Sequence, residues 1–325
     1  MEQAVTKLAV GALIVSSLLF GASAQAQNYP TKPIRFIVPF PPGGIADVVA
    51  RVMGQKLGEA LGQSAVIENR AGASGTLGAG EAAKAAPDGY TLLLTTGDFT
   101  TTPTMVPTMS FDPRKDLIPI TMIATSPLAL VAKADGPFAS VKDLIAAAKQ
   151  SPGKVAFSSP GNGTINHLAG EWLGIEGGFK LLHVPYRGGV PAATGVVTGD
   201  VPIGVLSPSS VQPYVEAGKM KGLALLTQKR PSFAADWPII SDSGLAIEAA
   251  LWVGLFAPAG TASAIVNRLD TEVTRILQQQ DFRKRLNDLG TDPSPISQAA
   301  FVERISSDAE RYAKIIAQAG IQIQH

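Results

Sequence analysis

The sequence predicts an α/β protein with mainly parallel sheets, and two features lead to this expectation. Short apolar runs typical of strands alternate with segments of helical spacing along the chain, as in sheets that helices cover on both faces. In addition, a strand, a glycine-rich turn and a helix follow one another twice, at residues 34–51 and 155–173. Such a turn leaves unpaired N–H groups at the positive end of the helix dipole, so each turn is predicted to favour an anion. A tight connection without a ligand is the alternative.

The first of these turns lies between a buried strand and an amphipathic helix. Residues 34–38 are apolar and rich in β-branched side chains, and the prolines that follow end the strand because proline cannot donate to a ladder. Gly43 and Gly44 then allow a tight turn, and apolar residues recur at helical spacing from Ile45. Beyond this helix we expect strands at 65–67 and 90–94, a hydroxyl-rich loop at 98–107 and an apolar crossing segment at 118–131.

The second half of the chain repeats the alternation. Ser140 is a predicted helix cap, and the second polar glycine turn occupies residues 158–164. Further strands are expected at 181–184, 203–206, 223–227 and 252–257, with helices between them and at 261–280, 282–289 and 297–319. The C-terminal helices are predicted to lack strands of their own and to pack on the first sheet, which makes the first domain discontinuous.

The first 26 residues have the pattern of a secretory signal peptide. Lys7 precedes an apolar run at 8–20, and Ala22, Ala24 and Ala26 form two overlapping small-x-small cleavage motifs. The apolar run is short for a membrane span, which needs about 20 residues. We therefore expect cleavage after Ala24 or Ala26 and a periplasmic mature chain, with an uncleaved N-terminal anchor as the alternative.

The composition excludes several kinds of site. The chain of 325 residues has no cysteine, so thiolate metal sites and cysteine nucleophiles are excluded. It has three histidines, of which His325 is terminal, so a histidine metal site is disfavoured. The 27 Lys and Arg residues balance 26 Asp and Glu residues, so no basic field for nucleic acid is present. We expect no metal, no cofactor and no nucleic-acid partner.

Six collinear motifs carry a resemblance to a known family. They are VPFPPGG with Asp47 and Ala50-Arg51, ENRAGASG with APDGYTLL, FDPRKDL, SSPGNGTINHLAGE, HVPYRGG and FAPAG. In these motifs the chain resembles the Bug-type periplasmic solute-binding proteins of tripartite tricarboxylate transporters. The resemblance implies a type II periplasmic binding-protein fold, with two α/β lobes around a ligand cleft. Lobe 1 is expected at 27–124 plus 252–325 and lobe 2 at 125–251, with hinges near Thr125 and Leu251–Trp252.

The resemblance also implies a function and a site. It implies a monomeric receptor that captures a small carboxylate, such as a dicarboxylate or an aromatic acid, and contacts membrane transporter subunits transiently. The two glycine turns are expected to hold the carboxylate through backbone N–H groups and hydroxyls, because neither contains Arg or Lys. A Gly44→Val substitution is expected to block backbone approach and strain the first turn. The candidate ligand-binding residues are Pro42, Gly43, Gly44, Asp47, Phe99, Ser158, Ser159, Gly161, Gly163, Thr164 and Tyr186.

Several of these residues have structural alternatives. Ser158, Ser159 and Thr164 are also suited to capping a helix. Asp47 is suited either to the helix dipole or to a hydrogen bond from a ligand, and His167 either to a structural role or to proton donation. The sequence departs from the family pattern at three places that shape the distal end of the ligand, so ligand identity stays open: Ile45-Ala46, Thr102-Pro103 and residues 206–209.

A secreted hydrolase or lyase and a sensory ligand-binding subunit are the alternative functions. A serine hydrolase requires a G-x-S-x-G motif or a placed triad. Ser74 lies in a partial match, with Thr76 in place of the last glycine. Ser159 and His167 are close in sequence, yet no acid is evidently placed to orient the histidine. A receptor is therefore the favoured prediction, and a sensory subunit would use the same cleft.

Overall fold

The computed structural model describes residues 29–106, 109–234 and 236–321, and it shows two lobes that each contain one sheet. The predicted signal peptide at 1–26 lies outside the described residues. Within these ranges, no helix combines the length and apolar character that a membrane span requires.

The elements of lobe 1 come from both ends of the chain. The N-terminal part contains β1 (Ile34–Val38), α1 (Ile45–Leu61), β2 (Ala65–Asn69), α2 (Thr76–Ala83), β3 (Thr91–Thr96), α3 (Thr102–Met105) and β4 (Leu117–Pro127). The C-terminal part contains β10 (Ala250–Pro258), α8 (Ser263–Leu277), α9 (Gln280–Asp288), β11 (Asp292–Pro293) and α10 (Gln298–Ala319). Both α8 and α10 pack against β4, as predicted, although the short β11 was not expected.

The elements of lobe 2 form a continuous segment between these two parts. They are β5 (Ala129–Lys133), α4 (Val141–Gln150), β6 (Ala156–Ser159), α5 (Ile165–Gly177), β7 (Leu182–Pro185), α6 (Gly189–Thr198), β8 (Ile203–Leu206), α7 (Pro208–Glu216) and β9 (Met220–Leu225). Ser140 caps α4 by accepting a hydrogen bond from the Asp143 N–H, as predicted. Short 3₁₀ turns complete the fold at Ala73–Gly75, Gly97–Thr100, Ser232–Ala234 and Ile240–Ser243.

Both sheets are mixed, so the prediction of mainly parallel sheets is wrong in strand direction. The lobe 1 sheet has the order β11-β4-β10-β3-β1-β2, and only the pairings of β1 with β2 and β3 are parallel. The lobe 2 sheet has the order β7-β6-β8-β5-β9, and the pairings of β6 with β7 and β8 are parallel. In lobe 1 the reason is that β4 carries the chain out of the lobe and β10 brings it back, so these neighbours run in opposite directions.

The two crossing strands pair with each other at the predicted hinge positions. Thr125 lies opposite Trp252 in the β4–β10 ladder, and Trp252 is fully buried. The Trp252 indole Nε1 donates to Asp308 Oδ2 in α10 over 3.0 Å. The lobe boundaries and the hinges stay predictions. The predicted hinge residues lie in one ladder, which β4 and β10 form.

Candidate functional site

A cavity of about 510 Å³ lies between the two lobes. Turns that follow β1, β2 and β3 line it from lobe 1, and turns that follow β6, β7 and β8 line it from lobe 2. All six turns lie at the carboxyl ends of their strands, which is where open α/β sheets bind ligands. Leu251, at the start of a crossing strand, also lines it.

The first glycine turn presents the N-terminus of α1 to this cavity. Gly44, Ile45 and Ala46 line the cavity, and the first N–H groups of a helix have no partner within the helix. Gly44 is the N-cap, with φ −82° and ψ 172°. This is extended backbone that any residue adopts, and a Cβ there would come no closer than 4.0 Å to Pro41 O.

The expected strain at Gly44 is therefore wrong, because the strained position is Gly43. Gly43 has φ +85°, in the left-handed region that favours glycine. A Cβ at Gly43 would also lie 3.0 Å from Val190 Cγ2 of lobe 2. Gly44 lines the cavity and has room for a Cβ, so a side chain there tests ligand access without straining the turn.

Asp47 braces this turn from behind. Its carboxylate accepts hydrogen bonds from Gly43 N–H (3.0 Å), Arg51 Nη2 (2.8 Å) and Asn69 Nδ2 (3.1 Å). Asn69 also donates to Phe40 O over 3.0 Å. Burial tends to raise the pKa of Asp47, but the hydrogen bonds from Arg51, Gly43 and Asn69 outweigh it and hold that pKa below its usual value. Asp47 is 3% exposed and does not line the cavity, so the structure favours a structural role over ligand contact.

Two N–H groups of the second glycine turn donate to nearby side chains of the same lobe. Gly161 N–H donates to Ser159 Oγ (3.2 Å), and Gly163 N–H donates to His167 Nδ1 (3.1 Å). Thr164 caps α5 by accepting from His167 N–H at 3.3 Å. Gly161 and Thr164 line the cavity.

A carboxylate from lobe 1 takes another donor of this turn. Asp98 Oδ1 accepts from the N–H of Ile165, the first residue of α5, over 2.6 Å. Its Oδ2 accepts from Thr96 Oγ1 over 2.8 Å. Asp98 is 8% exposed and lines the cavity, and burial raises its pKa above the usual value. Thr101 Oγ1 adds a second interlobe hydrogen bond, to Gly163 O at 2.8 Å.

Two stacked histidines lie behind the second turn. The rings of His167 and His183 are 3.7 Å apart, and Ser159 Oγ lies 2.6 Å from His183 Nε2. Burial lowers the pKa of His167 to about 4, and burial with the His167 charge lowers that of His183 to about 3. Both rings are therefore neutral at ordinary pH.

The Ser159–His183 pair does not have the geometry of a hydrolase site. Ser159 has no exposed surface, so its hydroxyl is not accessible to a substrate. Among the hydrogen bonds of the described residues, none joins His183 to a carboxylate that orients the ring. The pair instead holds the turn, since Ser159 Oγ also accepts from Gly161 N–H.

The cavity includes three of the predicted site residues: Gly44, Gly161 and Thr164. Ser158 is fully buried and donates to Ala192 O, and Phe99 packs 5.2 Å from Phe256 between ring centroids. The residues that do not line the cavity are Pro42, Gly43, Asp47, Phe99, Ser158, Ser159, Gly163 and Tyr186. Ligand contact by any member of the set stays a prediction.

The sequence analysis missed Arg187 as a cavity residue. Neither glycine turn contains a cation, but the neighbouring turn after β7 places the exposed Arg187 at the cavity. Strand β7 pairs with β6, so the Arg187 turn lies beside the second glycine turn. The HVPYRGG motif contains this arginine, and its position after a predicted strand was the available signal. Asn166 and Ser210 also line the cavity without having been predicted, whereas Ser207 belongs to the segment 206–209 that was expected to shape the distal end of the ligand.

Comparison with known proteins identifies the family. A family model described as the tripartite tricarboxylate transporter family receptor matches residues 49–321. Protein BugT of Bordetella pertussis is 31% identical over 323 residues, which cover 98% of each chain.

Two solved structures resemble the fold closely. R. palustris Rpa4515 with adipate has a TM-score of 0.86 and 33% identity, over 90% of this chain and 98% of that chain. The periplasmic binding protein BugD has a TM-score of 0.84 and 29% identity, over 91% of this chain and 100% of that chain. The predicted two-lobe periplasmic binding-protein fold is thereby confirmed. The chain belongs to the tripartite tricarboxylate transporter receptor family, whose members are periplasmic solute receptors and not enzymes.

Proposed function

We propose that this chain is an extracytoplasmic receptor that binds a small carboxylate between its lobes and delivers it to the membrane subunits of a tripartite tricarboxylate-type transporter. One observation carries the proposal: the N-terminus of α1 opens into the interlobe cavity at Gly44, Ile45 and Ala46. Helix N-termini bind carboxylates through N–H groups and the helix dipole. The presence of adipate in the similar Rpa4515 structure supports this class of ligand.

The remainder of the cavity suits an acid with an apolar body. Pro39, Phe40 and Pro41 line one side of it, next to the α1 turn. A volume of about 510 Å³ lies within the usual range for small-molecule sites, roughly 300–1,000 Å³. The chain therefore has room for a dicarboxylate or an aromatic acid.

Delivery requires that the transporter distinguish the loaded receptor from the empty one. Because both lobes line the cavity, a ligand that contacts both favours a closed arrangement, with movement at the β4 and β10 crossings near Thr125 and Leu251–Trp252. Small-angle scattering of the monomer should show a smaller radius of gyration at saturation with ligand. An unchanged profile contradicts closure.

The export step has a separate test. We propose cleavage after Ala24 or Ala26, which releases the mature chain into the periplasm. N-terminal sequencing of the exported protein should give Gln25 or Gln27 as the first residue. A chain that begins at Met1 and stays with the membrane contradicts this.

Ligand identity and binding are tested on protein purified without refolding. Mass spectrometry of material released by denaturation should detect a small carboxylic acid. Calorimetry with monocarboxylates, dicarboxylates and aromatic acids should then show binding at one site per chain, with no product formed on prolonged incubation. Absence of binding across the whole panel contradicts the proposal, and conversion of any acid favours the hydrolase or lyase alternative.

A further inference from the structure

The two helix N-termini at the cavity differ in what lies against them. At α1, the cavity itself adjoins Gly44, Ile45 and Ala46. At α5, the carboxylate of Asp98 reaches across from lobe 1 and accepts the Ile165 N–H over 2.6 Å. The protein thus places its own carboxylate at the second position where a ligand carboxylate was expected.

The hydrogen bonds of Asp98 stabilise its ionised form. One oxygen accepts from the Ile165 N–H and the other from the Thr96 hydroxyl. Burial raises the pKa of Asp98, and these two hydrogen bonds reduce that rise without cancelling it. The positive end of the α5 dipole favours the charge as well.

We propose that Asp98 is a specificity-determining residue, which reserves the N-terminus of α5 for the protein's own carboxylate and so disfavours a second ligand carboxylate there. This inference rests on the proposed function, because it concerns the far end of a ligand whose first carboxylate lies at α1. Two carboxylates in one poorly solvated site repel each other, and one of them must protonate or leave. A neutral polar or apolar group meets no such penalty.

Arg187 adds a positive charge at the cavity, but it does not remove the repulsion between Asp98 and a second ligand carboxylate. Arg187 is exposed and belongs to the turn after β7, whereas Asp98 is buried beside the start of α5. Interactions of exposed charges are weakened by solvent and salt more than those of buried charges. A second carboxylate is therefore directed toward Arg187 and away from Ile165.

Asp98→Asn tests the charge while keeping the shape. The asparagine Oδ1 still accepts from the Ile165 N–H, and the Thr96 hydroxyl can reorient to accept from Nδ2. Affinity is measured by calorimetry for matched straight-chain acids, such as hexanoate and adipate. We expect the substitution to shift the affinity ratio in favour of the dicarboxylate by at least about tenfold. Because both acids experience the same change in lobe contacts, the ratio isolates the effect of charge.

Glu59→Gln provides the matched control. Glu59 is exposed in α1 and does not line the cavity, and its replacement removes the same charge from the same lobe. The ratio of the affinities for hexanoate and adipate in Glu59→Gln should equal that of the wild type. An unchanged ratio in Asp98→Asn overturns the role of Asp98 while leaving the receptor function intact. Failure of the wild type to bind any acid overturns the proposed function and this inference with it.

Discussion

The two glycine turns face the same cavity but are held by different chemistry. The first is braced by an ionised carboxylate, Asp47, which contacts Arg51 and Asn69 on the side away from the cavity. The second is braced by the neutral ring of His167 and by Asp98 from the opposite lobe. The same local pattern of strand, turn and helix therefore produces two different surfaces.

This difference indicates that the two lobes have different roles at the cavity. In lobe 1 the acidic residue lies behind the turn, so the helix N-terminus stays open toward the cavity. In lobe 2 an acidic residue lies in front of the helix, so that N-terminus already contacts a carboxyl group of the protein. The first turn is suited to hold a ligand charge, whereas the second is suited to joining the lobes and shaping the far end of the cavity.

The largest effect is expected from a side chain at Gly44. Gly44→Val places methyl groups in the cavity next to the α1 N–H groups without backbone strain, because Gly44 is extended. We expect affinity to fall by at least about 100-fold, with Gly44→Ala intermediate, since a carboxylate can no longer reach the N–H groups. Calorimetry measures affinity, and circular dichroism checks folding. Ser159→Ala, behind the second turn, should cost less. Wild-type affinity in a folded Gly44→Val protein means that the anion is not held at this turn.

The next effect concerns the bracing of the first turn. Asp47→Ala leaves the Gly43 N–H and the Arg51 and Asn69 donors without their shared acceptor. We expect the free energy of unfolding to fall by about 3 kcal/mol in urea denaturation.

Asp143→Ala is a matched control for this prediction. Asp143 also lies in the first turn of a helix and accepts from the N–H four residues earlier, at Ala139, but it is exposed. Its loss should cost about 1 kcal/mol. Equal losses in the two variants mean that the buried network behind the first turn is no stronger than an exposed cap.

The lowered pKa values of the two histidines behind the second turn predict that the stability of the protein depends on pH. The pKa values of His167 and His183 are lowered to about 4 and about 3, against about 6.5 in an unfolded chain. Between about pH 6.5 and 4 the unfolded state binds more protons, so stability is present above pH 6.5 and is lost as pH falls. Asp47, with its lowered pKa, contributes a loss only at lower pH.

Other groups near the second turn act in the opposite direction, so variants are needed to isolate the histidines. Burial raises the pKa of Glu171, which faces His167, and that of Asp98, so both bind protons first in the folded state. Urea unfolding is measured at pH 7 and pH 5 for the wild type and for the double variant with His167→Gln and His183→Gln. The free energy of unfolding should fall less between these pH values in the double variant than in the wild type. Equal losses in the two proteins contradict the assignment to these rings.

The local units of the fold were predictable, whereas the contacts between distant segments were not. Apolar spacing and glycine pairs correctly located both turns, because these signals depend on neighbours in sequence. The ion pair of Asp47 with Arg51 is also local, since the two residues lie four apart on one helix face. No local pattern signals that Asp98 meets Ile165, since 67 residues separate them. Strand direction was missed for the same reason, because it depends on how the chain returns through β10.

A weaker effect is expected at Arg187, which adds a cation beside the second turn. A site formed by the two glycine turns alone predicts that affinity falls only mildly with salt, since a buried site is poorly screened. Arg187 is exposed, so its attraction for an anion is screened and acts mainly on the rate of association. Arg187→Gln should lower affinity by about threefold at low salt and by less at high salt, with the change in the association rate. Stopped-flow binding at two ionic strengths measures both rates. A loss that persists at high salt and appears in the dissociation rate means that Arg187 contacts the bound ligand directly, and the second lobe then contributes a charge of its own to the site.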